Sequence, residues 1–468
     1  MKNIIYTLIF VTLISSCDSL LEFEPEGEII SSEALQDADD MQALLNSAYD
    51  ALRGAGGDFL GGRVQAISEV MGDNIDGSQT NLNNADFLAY YNKTSTFFTG
   101  YTQAMFDEPY YTIYRSNVLL KNLGIVEGTS DADRIEGEAK FLRALCYFEL
   151  VRLFAQPYGY TPDNTHLGVV VRTSPDAEAR NRNTVAEVYD QIVLDLTEAA
   201  DLLPTSNDVY ATSWAAKALL AKVYFHMHDF QNAYDLADDV IENGPNAFNT
   251  SSDEFSTRFS SVVSGESIFY MISNPNDDRG PQFIAHFRSD AANPPTLRIS
   301  RDLYNLASSD ANDLRGAWYS VSDEGAANEA IFLTKFDGLN YTQVPLIHVT
   351  EMKFIRAESG AELNTVLTLA VALDDVNDIR QRAGLADLPG GISQTSLLSA
   401  IRQEKRLELV AEGHRFHDLR RRGANGESNL LIRNSDWDCP GMAIQFPDNE
   451  IAGAGGTDSF TPNEEGGC

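Results

Sequence analysis

From about residue 31 onward, apolar positions recur with a helical period, and the predicted helices come in pairs. The clearest pair spans Trp214 to Asn243. Leu220, Ala221 and Tyr224 share one face, a turn falls at His228-Asp229, and Ala233, Ala237 and Val240 restore the face before Pro245. Ala139 to Phe154 carries Ala144, Tyr147 and Phe148 on one side. Its partner is opened by Thr184 as N-cap, with Glu187 completing a capping box, and runs to Leu203 before Pro204. Two further pairs are predicted: Ser32–Arg53 with Glu108–Leu123, and Val349–Glu358 with Ala361–Arg382. The predicted helical segments are thus 32–53, 108–123, 132–155, 184–203, 211–243, 346–383 and 397–422.

The spacing Leu220-Ala221-x-x-Tyr224, followed by Ala233 and Pro245, matches most positions of a tetratricopeptide repeat. Small residues at Ala221 and Ala233 let paired helices approach closely. Such units bury their faces only by stacking, so an all-α dominated, right-handed solenoid scaffold of about four helix pairs is expected. Two long stretches break the pattern. Residues 54–100 are rich in Gly, Asn, Asp and aromatics, and residues 246–344 mix short apolar runs with Pro, Gly and Ser clusters. Loops of that length inside a fold are usually functional or disordered. Because helical repeats continue on both sides, they read as a loop-rich second lobe inserted in one unit spanning 31–468.

The chain opens like an exported precursor. Lys2 supplies positive charge, and Ile4 to Ile14 is an apolar run too short to span a bilayer. Small residues Ser15 and Ser16 precede Cys17, the pattern of a bacterial lipoprotein cleavage site, so residues 1–16 are expected to be removed and Cys17 lipidated. Each buried CH2 of an acyl chain contributes about 0.8 kcal/mol, so a three-chain cysteine holds a domain on a membrane almost permanently. Residues 17–30 then read as an acidic tether, with Asp18, Glu22, Glu24, Glu26 and Glu28 and no basic residue before Ile29. Acidic residues this close behind the cysteine resemble a surface-export signal, which places the domain outside the cell.

A formal net charge of −35 excludes nucleic acid as a partner, because phosphate recognition needs a basic face. Beyond Cys17, Cys146 lies on an apolar helical face and reads as an inert core thiol. Cys439 and Cys468 bracket a Gly-rich tail, and compartment and parity make them a candidate disulfide.

Four segments carry a more specific pattern. Ile401-Arg402-Gln403-Glu404-Lys405-Arg406-Leu407-Glu408-Leu409 leads into Glu412-Gly413-His414-Arg415-Phe416-His417-Asp418-Leu419-Arg420-Arg421. Upstream lie Pro345–Ala357 and Val376-Asn377-Asp378-Ile379-Arg380-Gln381-Arg382-Ala383-Gly384-Leu385, and near the start Glu69-Val70-Met71-Gly72-Asp73-Asn74. In identity and order these resemble the motifs of the SusD/RagB family, with Lys405 where arginine is usual and Gly72 where serine is usual. The resemblance implies a tetratricopeptide-like scaffold bearing a loop-rich lobe. It also implies a lid over a SusC-like TonB-dependent transporter, which binds an oligomeric nutrient, hands it inward and uses no cofactor. The charges of the last motif read as structural: Glu404, Glu408 and Glu412 recur every fourth residue, with Arg402, Arg406, Arg415 and Arg420 as partners.

Nothing in the chain resembles a nucleophile elbow, a phosphate loop or a cofactor fingerprint, so no enzyme is expected. His414 and His417 stand three apart, whereas zinc on a helix favours histidines four apart with further ligands, so no metal is expected either. His226 and His228 end a repeat helix, where a surface or capping role is expected. With 69 acidic residues, no carboxylate pair is singled out for glycan hydrolysis. Recognition must then come from ring stacking on sugar C–H faces and hydrogen bonds to hydroxyls. The candidates are Phe87, Tyr90, Tyr91 and Asn92 in the first inserted stretch, and Phe283, His286, Arg288, Trp318 and Tyr319 in the second, with core packing the competing role for each ring. The acidic chain favours a neutral oligo- or polysaccharide; a peptide or an anionic glycan is the alternative. A surface lipoprotein that binds only another protein is the third reading.

Overall fold

The computed structural model describes residues 35–468 apart from 79–81, 83, 177, 291–294, 428, 457–458 and 466. The expected leader, Cys17 and the acidic tether lie outside the described residues, as do Gln79–Asn81 and Asn83 of the first inserted stretch.

Sixteen α-helices dominate the described residues. The first eight are α1 (Ala38–Ala51), α2 (Arg63–Met71), α3 (Ala85–Tyr91), α4 (Thr102–Lys121), α5 (Ala132–Phe154), α6 (Val185–Leu202), α7 (Ser213–His226) and α8 (Phe230–Asn243). Short helices α9 (Glu254–Thr257), α10 (Pro281–Phe287) and α11 (Arg301–Ala307) alternate with strands β1 (Ser267–Met271), β2 (Tyr319–Ser322), β3 (Ala330–Leu333) and β4 (Val344–His348). Then come α12 (Val349–Leu363), α13 (Val366–Arg382), α14 (Gln394–Glu408), α15 (Arg415–Ala424), the hairpin β5 (Leu431–Ile432)–β6 (Ser435–Asp436) and α16 (Asp448–Gly453). The strands form three two-stranded antiparallel ribbons, β1–β4, β2–β3 and β5–β6.

The scaffold is a tetratricopeptide-like succession in which each long helix packs on the next: α1 on α4, α4 on α5, then α6, α7 and α8, α8 on α12, and α12 on α13 and α14. Ala221, Ala233 and Ala237 are fully buried where α7 meets α8. The capping box at Thr184 forms, with Glu187 N–H donating to Thr184 Oγ1 at 3.2 Å and Thr184 N–H to Glu187 Oε2 at 2.8 Å. One large core runs through both lobes, and a smaller one, centred on Phe354, Val376 and Ile401, joins α12, α13 and α14.

Four predicted boundaries move, each for a local reason. Helix α4 starts at Thr102, because Pro109, which reads as a first-turn residue, lies buried inside the helix. The α12–α13 break falls at Asn364, in the left-handed region at φ 56°, with Thr365 capping α13. The last motif is two helices, since Ala411 (φ 66°) and Gly413 (φ 79°) turn the chain between Glu408 and Arg415. A Cβ on Gly413 would sit 2.9 Å from the Gln65 backbone, which explains glycine there. Within 54–100, α2 is buried along its whole length, so part of that stretch is core.

The expected charge network exists, with Lys405 and Arg421 both on Asp418 inside the motif, but the partners of Glu404, Glu408 and Glu412 come from outside it. Glu408 receives Arg382 at 2.8 Å, Arg258 at 3.0 Å and Arg315 at 3.4 Å. Glu404 takes Arg315 at 2.6 Å and Arg380 at 2.5 Å, and Glu412 takes Lys335 at 2.6 Å. Arg402 reaches Glu358 and Glu362 on α12, both at 2.8 Å, and Arg420 donates to the carbonyls of Arg152 and Ala155. A buried pair is costly to break because removing one partner strands the other charge, so this lattice fixes how the loop-rich lobe meets the last helices.

Candidate functional site

Both inserted stretches and the C-terminal hairpin meet at one surface cleft of about 500 Å³. Its floor is laced by backbone: Ile75 bridges Ile299, Asp76 N–H donates to Arg298 O and Ser300 N–H to Asn74 O, both at 2.8 Å, and Ile299 N–H donates to Ile331 O at 2.9 Å. Ser300 caps α11 and so aims Arg301 and Asp302 into the opening. Arg301 is ion-paired to Glu329, which also accepts from Gly325 N–H at 2.7 Å.

Opposite stand Tyr91, at the end of α3, and the two-residue turn Arg433-Asn434, with both turn residues left-handed at φ 51° and 67°. The Arg433 guanidinium lies 3.5 Å above the Tyr91 ring and donates to the Tyr91 carbonyl at 2.5 Å. Gly77 packs against the same ring so closely that a Cβ there would fall 1.9 Å from Cζ. Tyr91 is thus a filled wall of the cleft, not an open stacking platform.

The back wall joins the first motif to the last. Arg415 forks onto Asp73 at 2.7 and 2.8 Å, Arg406 Nε donates to Asn74 Oδ1 at 2.9 Å, and Asn74 Nδ2 donates to Glu69 Oε2 at 2.9 Å. Burial alone would raise the Asp73 carboxyl, but Arg415, with Arg406 behind it, holds it below its ordinary value. Glu69, buried beneath and bound only by neutral donors, is pushed up by burial to about 7.

The other predicted ligand residues fall elsewhere. Phe87 and Tyr90 are buried: Phe87 meets His286 edge-on at 5.0 Å, and the Tyr90 hydroxyl donates to Gly100 O at 2.7 Å. Phe283 stacks on Phe336 at 5.6 Å within the core. Burial and the neighbouring Arg63 depress His286 to about 3, leaving it neutral, with Nε2 accepting from Arg63 at 2.7 Å. Trp318 and Tyr319 are buried, Trp318 edge-on to Phe255 at 5.0 Å. These six side chains serve packing here, the competing role weighed for each ring. Asn92 is exposed at the end of α3, and Arg288 is partly exposed but tied to Asp290 at 2.5 Å and to Leu339 O at 2.7 Å. Arg301, Glu329 and Asn434 carry no sequence signal of their own, because only tertiary pairing brings them to the cleft. The hairpin turn itself was findable, since Asn tolerates the left-handed region.

The histidines also have packing roles. His414 Nδ1 lies 3.4 Å from Glu351, and His417 Nε2 lies 3.1 Å from Ser68 Oγ. Contrary to a surface role, His226 packs edge-on against Phe148 at 5.3 Å, and burial holds it neutral. His228 Nε2 donates to Arg421 O at 2.9 Å, a capping contact. Cys146 is a buried free thiol, and Cys439 is bonded to Cys468 with a Cα separation of 5.5 Å.

Residues 22–225 match a SusD-like family model described as starch-binding and associating with the outer membrane, and residues 334–436 match the model of the SusD family. The chain belongs to the SusD/RagB family. SusD-like protein P2 of Formosa agariphila is 24% identical over 481 aligned positions, covering 90% of each chain. A SusD superfamily protein of Bacteroides thetaiotaomicron superposes with a TM-score of 0.78 at 25% identity, over 92% of this chain and 100% of that one. A laminarin-binding SusD-like protein superposes with a TM-score of 0.71 at 23% identity, over 92% and 99%. SusD/RagB proteins are carbohydrate-binding, outer-membrane-associated surface proteins rather than enzymes. No described helix of this SusD/RagB chain is long and apolar enough to cross a membrane.

Proposed function

We propose that this chain is a cell-surface glycan-binding lipoprotein, anchored through Cys17, that captures an oligo- or polysaccharide and delivers it to a SusC-like TonB-dependent transporter without chemistry of its own. The cleft over Ile75 and Ile299 carries the reading, since both inserted stretches and the C-terminal hairpin contribute to it. Sugar hydroxyls donate and accept at once, and the Arg301–Glu329 pair with Asp302 and Asn434 offers both partners within one opening. The family description, which names starch and the outer membrane, points the same way. Tyr91 lines the cleft, and Asn92 follows it on the rim of α3.

The test is affinity electrophoresis and calorimetry of residues 18–468 against neutral polysaccharides, anionic polysaccharides and peptide mixtures. Saturable binding to one glycan class is expected, without release of reducing ends, and weakened about tenfold or more in Arg301→Ala/Asp302→Ala. Release of reducing sugar would instead revive an enzyme. Unchanged binding in the double variant would move the site elsewhere. For the partner, a TonB-dependent barrel should co-purify from detergent-solubilised outer membranes.

A further inference from the structure

A second groove, of about 600 Å³, runs between α4, α16 and residues 172–176 and 179–180, and it shares no lining residue with the cleft above. Tyr111 and Tyr114 stand on its rim, three residues apart on α4 and so neighbours on one helical face. They are 55% and 52% exposed, and neither ring meets another ring or a cation among the described residues. They border a hollow that is also lined by the small residues Gly453 and Ala454, which leaves the ring faces open to a ligand.

The charges in the groove select what can occupy it. Its cations are already spoken for: Arg180 is paired to Asp176 at 2.8 Å, and Arg172 donates to Glu178 O at 2.9 Å, with Asp176 3.5 Å away. Two of its carboxylates are not, since neither Asp107 nor Glu450 forms an ion pair among the described residues. Among the described residues Asp107 accepts only from the amides of Gln103 at 3.2 Å and Asn449 at 3.5 Å. Burial raises both carboxyls; at Glu450 the Arg172 charge opposes the rise and Asp107 adds to it. An anionic ligand would meet these acids without a spare cation. An apolar peptide or lipid would strand them out of water, a penalty of about 1–3 kcal/mol for each group left unpaired. A neutral polyol satisfies both features, because its hydroxyls donate to the carboxylates while its C–H face lies on the tyrosine rings.

We infer that this groove is a second carbohydrate site, which takes a neutral oligosaccharide segment on Tyr111 and Tyr114 with Asp107 and Glu450 as hydroxyl acceptors. The inference rests on the reading that the protein binds glycans, and it adds bivalent capture. A polymer long enough to engage groove and cleft together is held far more tightly than a short segment at either.

Calorimetry of residues 18–468 with maltoheptaose and laminariheptaose, alongside affinity electrophoresis in soluble starch and laminarin, decides it. Two equivalents of the accepted heptamer are expected for the native protein. One is expected for Tyr111→Ala/Tyr114→Ala, and one for Arg301→Ala/Asp302→Ala, with retardation by the polymer weakened about tenfold or more in either. Both tyrosines are more than half exposed, so their truncation leaves the core intact, which circular dichroism verifies. A single equivalent untouched by the tyrosine variant overturns the inference, as does loss of barrel co-purification in that variant with glycan binding intact. A single equivalent abolished by the tyrosine variant but kept by the cleft variant supports the groove and overturns the cleft. No binding of any of these probes overturns both.

Discussion

Arg415 grips Asp73 across 342 residues of chain, its Nε and Nη2 donating to the two carboxylate oxygens at 2.7 and 2.8 Å. The pair docks the start of α15 onto the segment that opens the candidate cleft, and both side chains are largely withdrawn from water. A two-pronged, charge-assisted contact of this kind contributes about 1.5–3 kcal/mol. Arg415→Ala is therefore expected to lower the stability measured by urea unfolding by that amount, leaving Asp73 with Arg406 alone. Asp73→Asn combined with Arg415→Ala should cost less than the sum of the two. Full additivity would show that the pair is not a coupled unit.

Acid and base should loosen the fold through different groups. Burial would raise Glu351 and Glu408, but Lys222 and His414 outweigh it at the first and Arg382, Arg258 and Arg315 at the second, so both titrate at about 2. Their contribution is complete above the ordinary carboxylate value of 4.5 and is lost as pH falls toward 2. His414 and His286, held neutral to about 3 mainly by burial, contribute above the ordinary 6.5 and lose it as pH falls toward 3. Glu69 runs the other way: its raised value of about 7 means a contribution that is full below 4.5 and lost as pH rises through 7. The thermal midpoint of Glu69→Gln should thus decline less between pH 5 and pH 8 than that of the native protein, with the acid limb unchanged. Parallel curves above pH 5 would remove Glu69 from the account.

How far the sequence reached depended on whether a signal was local. The pair at Trp214–Asn243 and the box at Thr184 were legible because periodicity and capping act within a few residues. The break at Asn364 was not, because a left-handed residue leaves the surrounding hydrophobic period intact. Of the candidate side chains, Tyr91 lines the cleft, whereas Phe87, Tyr90, Phe283, His286, Trp318 and Tyr319 are interior. Aromatics in a long non-repetitive stretch look alike whether they fill a core or face water. Tyr111 and Tyr114, the rings of the proposed groove, were not singled out although a signal existed: they fall off the face of α4 that buries Met105, Phe106, Ile113 and Ser116.

Trp318 separates packing from recognition. Its ring is 7% exposed, edge-on to Phe255, with Lys335 Nζ 5.1 Å from its centre. Trp318→Ala is expected to cost about 3–5 kcal/mol, the range for emptying a buried aromatic site. The fraction that remains folded should bind glycan with native affinity, whereas a ligand-contacting tryptophan would give the opposite pattern of native stability and lost binding. Denaturant melts paired with calorimetry on the same preparation distinguish the two.

The Cys439–Cys468 bond closes a loop of 29 residues over the end of α5, where Gln156 Nε2 donates to both Asp438 O and Cys439 O at 3.1 Å. Chain entropy alone assigns such a loop about 3.5 kcal/mol. The tail is also stitched down without the bond: Asn463 Nδ2 donates to Phe154 O at 2.8 Å and Arg182 Nη1 to Thr461 O at 3.1 Å. Those contacts survive reduction in the native state, so Cys468→Ser should lower unfolding stability while leaving the fold and glycan binding unchanged. In residues 18–468, thiol titration under denaturant should find one group, Cys146, before reduction and three after it. Three reactive thiols before reduction, with no shift of the urea midpoint on adding dithiothreitol, would show that the tail is held by its hydrogen bonds alone.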